Sequence, residues 1–587
     1  MQPEISVATE RNWSRLNVDI SEKLTTRANK HLSKKAILPT EYFSNNENIS
    51  IITELLAFIK DNKIDVSSVI YTFAIKQLQL AGIYSLPHVQ DVIKKYSWSI
   101  DDDLYKFEIP SNERDFLGLI YQSILIEGEK NKIGSYYTPY NIVHNMTCCL
   151  SFKDNELLLD PCCGSGSFLL ELNAEPTQIY GFDNDEIAVF ICKVNLLLKY
   201  KRYSFIPQIY CLNFLDNKNF ISNLNIKFDY IITNPPWGAS CKKVKFISEI
   251  TSKESFSYFF VNAYKYLKKN GKIRFLFPES ILNVKVHKDI RSFMLNNGTI
   301  KTITLYDGMF SGVTTRYVDI EVLNKNDSNL IKVYTPKEIF NINKQSFYLT
   351  ENLVFNFQND IDTDIIKKVN SLKKYTLKNS IWALGIVTGD NKRKISKIPI
   401  DGGEHIYTGK EISSYNLLEP QNYILYNRKN FQQVAKEEYY RAKEKIVYKF
   451  ISSKLVFAYD NTKSLFLNSA NILIPNIPNM STKTVLAFLN SEMFQYLYKV
   501  LFSEIKVLKG NLCELPFPQI TIEQDLLLSN YVQEFLNGNT KYIDLIQDIV
   551  FDIYKITNEQ KKYIKEKLNG MFNKWIKEQN NRDEKFN

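Results

Sequence analysis

The stretch Glu156-Leu-Leu-Leu-Asp160-Pro161-Cys162-Cys-Gly164-Ser-Gly166-Ser-Phe168 decides the fold. Three consecutive leucines that end in an acidic residue are typical of a short buried strand. The two glycines allow a tight turn and a close approach of the backbone to a ligand, because neither carries a Cβ. A helix then opens at Phe168. A strand, a glycine turn and a helix in this order predict the first crossover of an α/β, doubly wound, mostly parallel sheet.

The next strand, Gln178-Ile-Tyr-Gly-Phe182, ends in Asp183 and Asn184. Asp183 follows Asp160 by 23 positions, close to the spacing of roughly 20 residues at which a carboxylate reaches a ribose hydroxyl. A cofactor that contains a nucleoside is therefore predicted. The third glycine of a dinucleotide motif would fall at position 169, which is Leu169. Phosphate binding is thus disfavoured, and the glycine turn is predicted to face an uncharged or cationic group.

A third strand, Gln208-Ile-Tyr-Cys-Leu212, ends in Asn213 and Phe214. The Asn213 amide could hydrogen-bond the N6 group of an adenine, and the Phe214 ring could cover the adenine face. Each polar residue thus follows a strand at its carboxyl end, where open α/β sheets bind ligands.

The fourth strand, Lys227–Thr233, runs into Asn234-Pro235-Pro236-Trp237. Two consecutive prolines fix φ and stop the strand ladder, so the backbone after Asn234 is stiff. The Asn234 side-chain oxygen and the Pro235 carbonyl can both accept from an exocyclic amino group, while Trp237 stacks on the ring that carries it. The tetrapeptide alone is also compatible with a plain turn and a core tryptophan.

Upstream of these strands lies Gly134-Ser-Tyr-Tyr137-Thr138-Pro139. Thr138 before Pro139, followed by apolar residues at helical spacing, predicts the start of a helix. The free N–H groups of its first turn could hold a carboxylate, and a plain capped helix is the alternative.

The composition bounds the class of protein. A length of 587 residues predicts two to four domains, and 44% hydrophobic with 24% charged residues is ordinary for a globular chain. The net charge of +10 has the sign that suits a nucleic-acid partner, but the lysines are spread throughout. The eight cysteines show no disulfide or zinc spacing, and neither a signal peptide nor a membrane-spanning run is evident. A reduced, cytoplasmic protein without a structural metal or a membrane partner is expected.

Together, Asp160-Pro-Cys-Cys-Gly-Ser-Gly-Ser-Phe168 and Asn234-Pro-Pro-Trp237 resemble the motifs of N6-adenine DNA methyltransferases. The order of the motifs is similar to that of the gamma class, which includes type II modification enzymes and the methylase half of type IIG enzymes. The resemblance implies S-adenosylmethionine as the cofactor, double-stranded DNA as the partner, and an adenine flipped out of the duplex as the acceptor. A monomer is expected, and a separate restriction endonuclease is a partner that the resemblance allows.

The resemblance assigns roles to residues by their motifs. Catalysis falls to Asn234, Pro235, Pro236 and Trp237, and stacking on the target base falls to Trp237 and Phe310. The residues predicted to bind the cofactor are Tyr137, Thr138, Pro139, Asp160, Pro161, Cys162, Gly164, Gly166, Asp183, Asn184, Asn213 and Phe214. Two positions depart from the family pattern. Trp237 stands where adenine enzymes more often have Tyr or Phe, and Asn213 stands where Asp is usual.

The resemblance also implies a division into domains. These are a helical N-terminal domain at 1–110, a methyltransferase domain at 111–335, a linker at 336–375, a mixed α+β target-recognition domain at 376–535 and a helical tail at 536–587. Lys392, Arg393 and Lys394 would then lie in a loop able to touch DNA phosphates, and a solvated charged loop is the alternative.

Two other functions remain open at this point. Asn-Pro-Pro-aromatic motifs also occur in enzymes that methylate protein glutamine or guanine N2 of ribosomal RNA, although those chains typically lack a long C-terminal region. The chain could also be the recognition and modification part of a restriction enzyme. No nuclease motif supports cleavage, and the complete Asn234–Trp237 quartet argues against a mere binding module.

Overall fold

The computed structural model describes residues 48–110, 113–125, 138–216, 225–237, 247–252, 254–306, 316–325, 328–452, 454–502 and 507–583. These residues form two compact units, which divide between Gln345 and Ser346. Among the described helices, none combines the length and the apolar character that a membrane crossing requires.

The first unit begins with a helical core. Its helices are α1 (Asn48–Asp61), α2 (Val66–Leu80), α3 (Pro87–Ile93) and α4 (Phe116–Ile124). Asp65 caps α2 by accepting from the backbone N–H groups of Ser67 and Ser68 at 3.0 and 3.4 Å. The buried side chains of these helices share one hydrophobic core with a later helix, Glu186–Lys199. The helices predicted as a separate domain at 1–110 therefore pack directly on the α/β part of the chain.

The α/β part alternates strands and helices as the sequence predicts. Its elements are α5 (Tyr140–Thr147), β1 (Leu158–Asp160), α6 (Ser167–Glu171), β2 (Ile179–Asp183), α7 (Glu186–Lys199), β3 (Gln208–Cys211), β4 (Phe228–Thr233), α8 (Ser255–Tyr264), β5 (Leu267–Pro278), α9 (Lys288–Asn297), β6 (Thr299–Leu305), β7 (Tyr317–Leu323), β8 (Leu330–Tyr334) and β9 (Ile339–Asn343).

The nine strands form one sheet in the order β3-β2-β1-β4-β5-β7-β6-β8-β9. The five strands from β3 to β5 are parallel neighbours, whereas β7 runs antiparallel to both β5 and β6. The order reverses beside β1, which pairs with β2 on one edge and with β4 on the other. Open α/β sheets bind ligands at such a switch point. The predicted fold class, a doubly wound and mostly parallel sheet, is confirmed.

The second unit is a mixed α+β structure. Its helices are α10 (Asp360–Ser371), α11 (Asn391–Lys394), α12 (Glu437–Tyr440), α13 (Thr482–Asn490), α14 (Glu492–Phe502), α15 (Lys509–Leu512), α16 (Ile522–Leu536), α17 (Tyr542–Ile553) and α18 (Asn558–Asp583). Its strands are β10 (Lys373–Tyr375), β11 (Ile381–Leu384), β12 (Ile395–Ser396), β13 (Glu404–Tyr407), β14 (Tyr423–Ile424), β15 (Lys445–Lys449), β16 (Phe457–Asp460), β17 (Leu465–Phe466), β18 (Ala470–Ile474) and β19 (Phe517–Pro518).

Two four-stranded sheets organise this unit, in the orders β11-β18-β15-β16 and β12-β14-β13-β17. The segment predicted as a linker, 336–375, contains β9, α10 and β10 and is therefore regular structure. The residues predicted as a helical tail contribute Ile546, Val550 and Phe551 to the hydrophobic core beneath the sheet β11-β18-β15-β16.

Buried charges tie distant parts of the second unit together. Asp362 on α10 accepts from Tyr496 Oη at 2.6 Å and from Tyr563 Oη at 3.0 Å, and it pairs with Lys567. Lys445 and Asp460 lie opposite each other on β15 and β16, and both side chains are fully buried. Lys445 Nζ also donates to the Tyr440 carbonyl at 2.6 Å.

Replacing Lys445 by Met is expected to destabilise the second unit. The substitution leaves the Asp460 carboxylate buried without its counter-charge, which typically costs about 3–5 kcal/mol. Chemical denaturation of the whole chain should show the loss in the transition of this unit. Lys562→Gln, at a lysine whose side chain is 78% exposed, is the matched control, and a Lys445→Met variant as stable as this control would contradict the expectation.

Candidate active site

The glycine turn after β1 adopts a conformation that requires glycine. Gly164 and Gly166 have φ values of 53° and 95°, in the left-handed region. A Cβ at Gly166 would lie 2.8 Å from the Cys192 Sγ on α7. The Gly164 amide donates to Asp183 Oδ2 at 2.9 Å, so the carboxylate predicted to meet a ribose also holds the turn in place.

Asp160 closes β1 directly beneath this turn and is 0% exposed. Its Oδ1 accepts from the Cys162 amide at 3.1 Å. Among the described residues its Oδ2 has no hydrogen-bond partner, and the Thr233 hydroxyl lies nearby without the geometry of a hydrogen bond. Burial raises the pKa of Asp160 to about 7, against the lowering effects of Thr233 and of the Cys162 amide. A cationic group at this position would supply the missing partner.

Asp183 lies beside Asp160 at the same edge of the sheet and is half-buried. Burial raises its pKa to about 6, although the amides of Asp185 and Gly164 donate to it. The neighbouring Asn184 is exposed. Two carboxyl groups with raised pKa values therefore face the same turn, which is typical of a ligand site.

Residues that the sequence analysis did not single out brace the turn from behind. Asp115, the N-cap of α4, accepts from Asn195 Nδ2 at 2.8 Å and from the Gly118 amide at 2.9 Å, and the Ser165 hydroxyl also donates to it. Tyr121 Oη donates to Asp185 Oδ2 at 2.6 Å. The sequence signal for Asp115 was only its place before an apolar helix, since its partners lie 50 and 80 positions away.

The corner after β4 presents Asn234 as the sequence predicts. Asn234 Nδ2 donates to Thr138 Oγ1 at 3.0 Å, whereas Asn234 Oδ1 is buried and accepts no hydrogen bond among the described residues. The Ser255 hydroxyl donates to the Pro236 carbonyl at 2.5 Å. Trp237 Nε1 donates to the Leu276 carbonyl of β5 at 3.3 Å, and its ring is half-buried.

Other predicted site residues have partners within the protein. Phe214 is 1% exposed, and its ring packs against Phe182 and Phe259. The Asn213 side chain closes its own loop, because Oδ1 accepts from the Leu215 amide at 3.0 Å and Nδ2 donates to Asp216 at 2.6 Å.

Thr138 and Pro139 are buried and precede α5, and Pro161 is buried and Cys162 half-buried in the glycine turn. Tyr137 and Phe310, together with the Gly134–Tyr136 part of the first motif, lie outside the described residues.

The three basic residues predicted to meet DNA divide into two kinds. Lys392 and Arg393 are exposed on α11. Lys394 Nζ instead donates to the Thr388 carbonyl at 2.8 Å and also to the Asn430 carbonyl. Lys394 thus holds α11 against the segment that contains Asn430.

Comparison with known proteins agrees with this geometry. Residues 112–381 match the N-6 DNA Methylase family, and residues 404–517 match the TaqI-like C-terminal specificity domain. The Type II methyltransferase M.VspI of Vibrio sp. (strain 343) is 30% identical over 325 residues, which are 52% of this chain and 77% of that protein. The chain belongs to the N-6 DNA methylase family.

Two further matches define how far the similarity extends. The Type II methyltransferase M.HincII of Haemophilus influenzae is 25% identical over 250 residues, or 39% of this chain and 43% of that protein. The structure of the Type IIL restriction-modification enzyme MmeI in complex with DNA shares the fold, with a TM-score of 0.56 and 12% identity over 98% of this chain and 100% of that one. The resemblance deduced from the motifs is confirmed. This family member is a DNA methyltransferase of the restriction-modification type that uses S-adenosylmethionine.

The residues at the sheet edge suit this cofactor. S-adenosylmethionine carries an ammonium group, a sulfonium and a ribose. The unpartnered Asp160 Oδ2 suits the ammonium, the Asp183 carboxylate suits the ribose hydroxyls, and the two glycines leave room for the backbone to approach.

Cofactor binding is expected to strengthen as the pH rises from 5.5 to 7.0. The free protein holds a proton on Asp160 below its pKa of about 7, and a bound cation lowers that pKa, so binding at low pH must release the proton. Linkage sets the increase in affinity at roughly tenfold. Titration calorimetry measures it, and Asp160→Asn should bind more weakly at pH 7.0 and lose most of the rise. Asp183→Asn is a parallel variant: the Asp183 pKa of about 6 acts in the same direction, so this variant should lose a smaller part of the rise than Asp160→Asn does. A wild-type affinity that is flat over this range would rule out the proposed role of Asp160.

Proposed function

We propose that this protein transfers the methyl group of S-adenosylmethionine to N6 of an adenine that is flipped out of a duplex recognition sequence. The observation that carries the proposal is the Asn234 amide. Its nitrogen is bonded to Thr138, and its buried oxygen accepts nothing among the described residues. A buried amide oxygen without a partner normally destabilises a protein, and an incoming amino group would satisfy it.

The chemistry of the acceptor nitrogen explains why the Asn234 amide and the Pro235 carbonyl suffice to activate it. The lone pair of an exocyclic amino group is delocalised into the ring, so the nitrogen must become tetrahedral before it can attack. The Asn234 oxygen and the Pro235 carbonyl accept hydrogen bonds from the two N–H groups and favour the tetrahedral nitrogen. This interaction stabilises the transition state. When bound, the cofactor would supply a methyl group activated by its sulfonium and would leave as the neutral thioether, and the methylated nitrogen would release one proton to solvent. The stiff two-proline corner contributes by positioning.

Reaching a base in a duplex requires that the base be flipped, at a cost of a few kcal/mol. Stacking on Trp237, whose indole is anchored by the Leu276 carbonyl, would offset about 1–3 kcal/mol of that cost. Phe310 is proposed as the second ring. The remaining proposals are that the protein acts in the cytoplasm as a monomer and that it protects DNA from a separate restriction endonuclease.

The alternatives differ in the molecule that is methylated. A protein-glutamine or RNA acceptor would present a similar planar amino group to Asn234. The match of residues 404–517 to a TaqI-like C-terminal specificity domain favours DNA. The enzymes that methylate protein glutamine or RNA typically lack a long C-terminal region of this kind. N4 of cytosine is a chemically similar acceptor, because it is also an exocyclic amino group on a flat ring that Trp237 could stack on. Incubation with labelled cofactor and DNA, RNA or protein separates the classes, and mass spectrometry of digested nucleosides identifies the modified base.

Asn234→Ala is expected to reduce the methylation rate by at least about a hundredfold, since it removes an acceptor that acts in the transition state. The affinity for S-adenosylmethionine should stay near that of the wild type, because Asn234 is not assigned to the cofactor. Single-turnover methylation and calorimetry measure the two quantities. Asp183→Ala gives the converse control, with weaker cofactor binding. Methylation by Asn234→Ala at close to the parental rate would refute the assignment.

Arg393→Gln is expected to weaken DNA binding to a similar extent for cognate and non-cognate duplexes. The Arg393 side chain is 88% exposed, and its ion pair within the described part of the chain is a long one of 3.7 Å to Asp390, so it is available to a phosphate. Loss of one phosphate contact should reduce the slope of log affinity against log salt by about 0.9. Binding isotherms at several salt concentrations measure the slope. Lys562→Gln is the control for a simple change in net charge, and an equal effect of the two substitutions would exclude a local contact.

A further inference from the structure

We propose that Thr138 is a positioning residue that presents the Asn234 side-chain oxygen to the acceptor amino group. This inference rests on the proposed function. The hydrogen bond from Asn234 Nδ2 to Thr138 Oγ1 is 3.0 Å long and joins residues 96 positions apart in the chain. Thr138 is 6% exposed, so solvent does not readily replace this contact.

The Thr138 hydroxyl is not used to start the helix that follows it. The N-cap of α5 is Pro139, and no side-chain hydrogen bond caps that end of the helix. A threonine at the N-cap position would ordinarily use its hydroxyl as such a cap, but Thr138 lies one position before the N-cap. Its hydroxyl instead faces Asn234, which makes the contact a feature of the acceptor corner.

The orientation of the Asn234 amide determines what the corner can bind. Rotation of the amide by 180° would exchange oxygen and nitrogen and place two N–H donors against an amino group. In the productive orientation the nitrogen points away from the acceptor and needs a partner of its own. Thr138 Oγ1 is that partner, and it accepts from one of the two N–H groups of Asn234 Nδ2 in the productive orientation.

Thr138 is attached to a firmly held helix. At the carboxyl end of α5, Arg274 Nη1 donates to the carbonyls of Asn145 and Met146 at 3.3 and 3.1 Å. The same guanidinium pairs with the fully buried Asp319, with Nε to Oδ1 at 2.6 Å, and Tyr306 Oη donates to that carboxylate at 2.6 Å. Arg274 lies on β5, which pairs with β4, the strand that carries Asn234. Helix and corner are therefore held by the same sheet.

The test compares Thr138→Val with Thr138→Ser. Valine keeps the shape of threonine but removes the acceptor, whereas serine keeps the hydroxyl. Single-turnover methylation of DNA at saturating cofactor should slow about tenfold to hundredfold in Thr138→Val, the effect of one unsatisfied buried donor. Thr138→Ser should stay within about threefold of the parent. The dissociation constants for DNA and S-adenosylmethionine, together with thermal unfolding, establish that the variants are folded and bind.

A double-mutant cycle separates positioning from general stability. In the Asn234→Ala background, Thr138→Val should cause no further loss of rate, because the amide it orients is gone. An equal additional loss in that background would overturn the proposal. So would a Thr138→Val variant that methylates at the parental rate, or one that loses only cofactor affinity. If Asn234→Ala itself leaves the rate unchanged, the proposed function fails first, which distinguishes the two failures.

Discussion

The parallel pairing of β1 with both β2 and β4 is the constraint on which the rest of the site depends. Leu158 pairs with Ile179 on one side and with Tyr230 on the other. All three strands point the same way, so their carboxyl ends emerge together. Asp160, Asp183 and Asn234 follow from that alignment. A shift of one residue in either pairing would turn each strand's side chains to the opposite face and would separate these groups.

Buried polar contacts add to the apolar packing that holds this edge of the sheet. Asp115 joins α4, the glycine turn and α7 through Ser165 and Asn195. Burial raises the pKa of Asp115 in spite of these hydrogen bonds, so the carboxylate is held at a cost in stability. In return, the hydrogen bonds of Asp115 hold the glycine turn in a fixed position. Asp160 and Asn234 each keep one oxygen unsatisfied among the described residues, and these two atoms lie where the cofactor and the acceptor are expected.

Much of this arrangement could be predicted from local sequence. Strand ends, positive-φ glycines and consecutive prolines are governed by neighbouring residues, and the order of the parallel strands follows from the crossovers. The position of Phe214 could not be predicted, because its burial depends on Phe259 of a helix 45 positions later in the chain. Lys394 was grouped with Lys392 and Arg393 because all three are basic. Only the fold shows that its ammonium donates hydrogen bonds to the Thr388 and Asn430 carbonyls.

Under the proposed function, the two unsatisfied oxygens would let one sheet edge bind two different ligands. A bound cation would stabilise the charged form of Asp160, which burial disfavours. Asn234 needs a hydrogen-bond donor, because its own nitrogen is already engaged with Thr138. The two requirements differ in charge, so the groups that satisfy them do not compete. Each ligand would satisfy a different buried group, so the binding of one would not remove the partner of the other. In the proposed mechanism, the same strands would order the methyl donor and the acceptor amine.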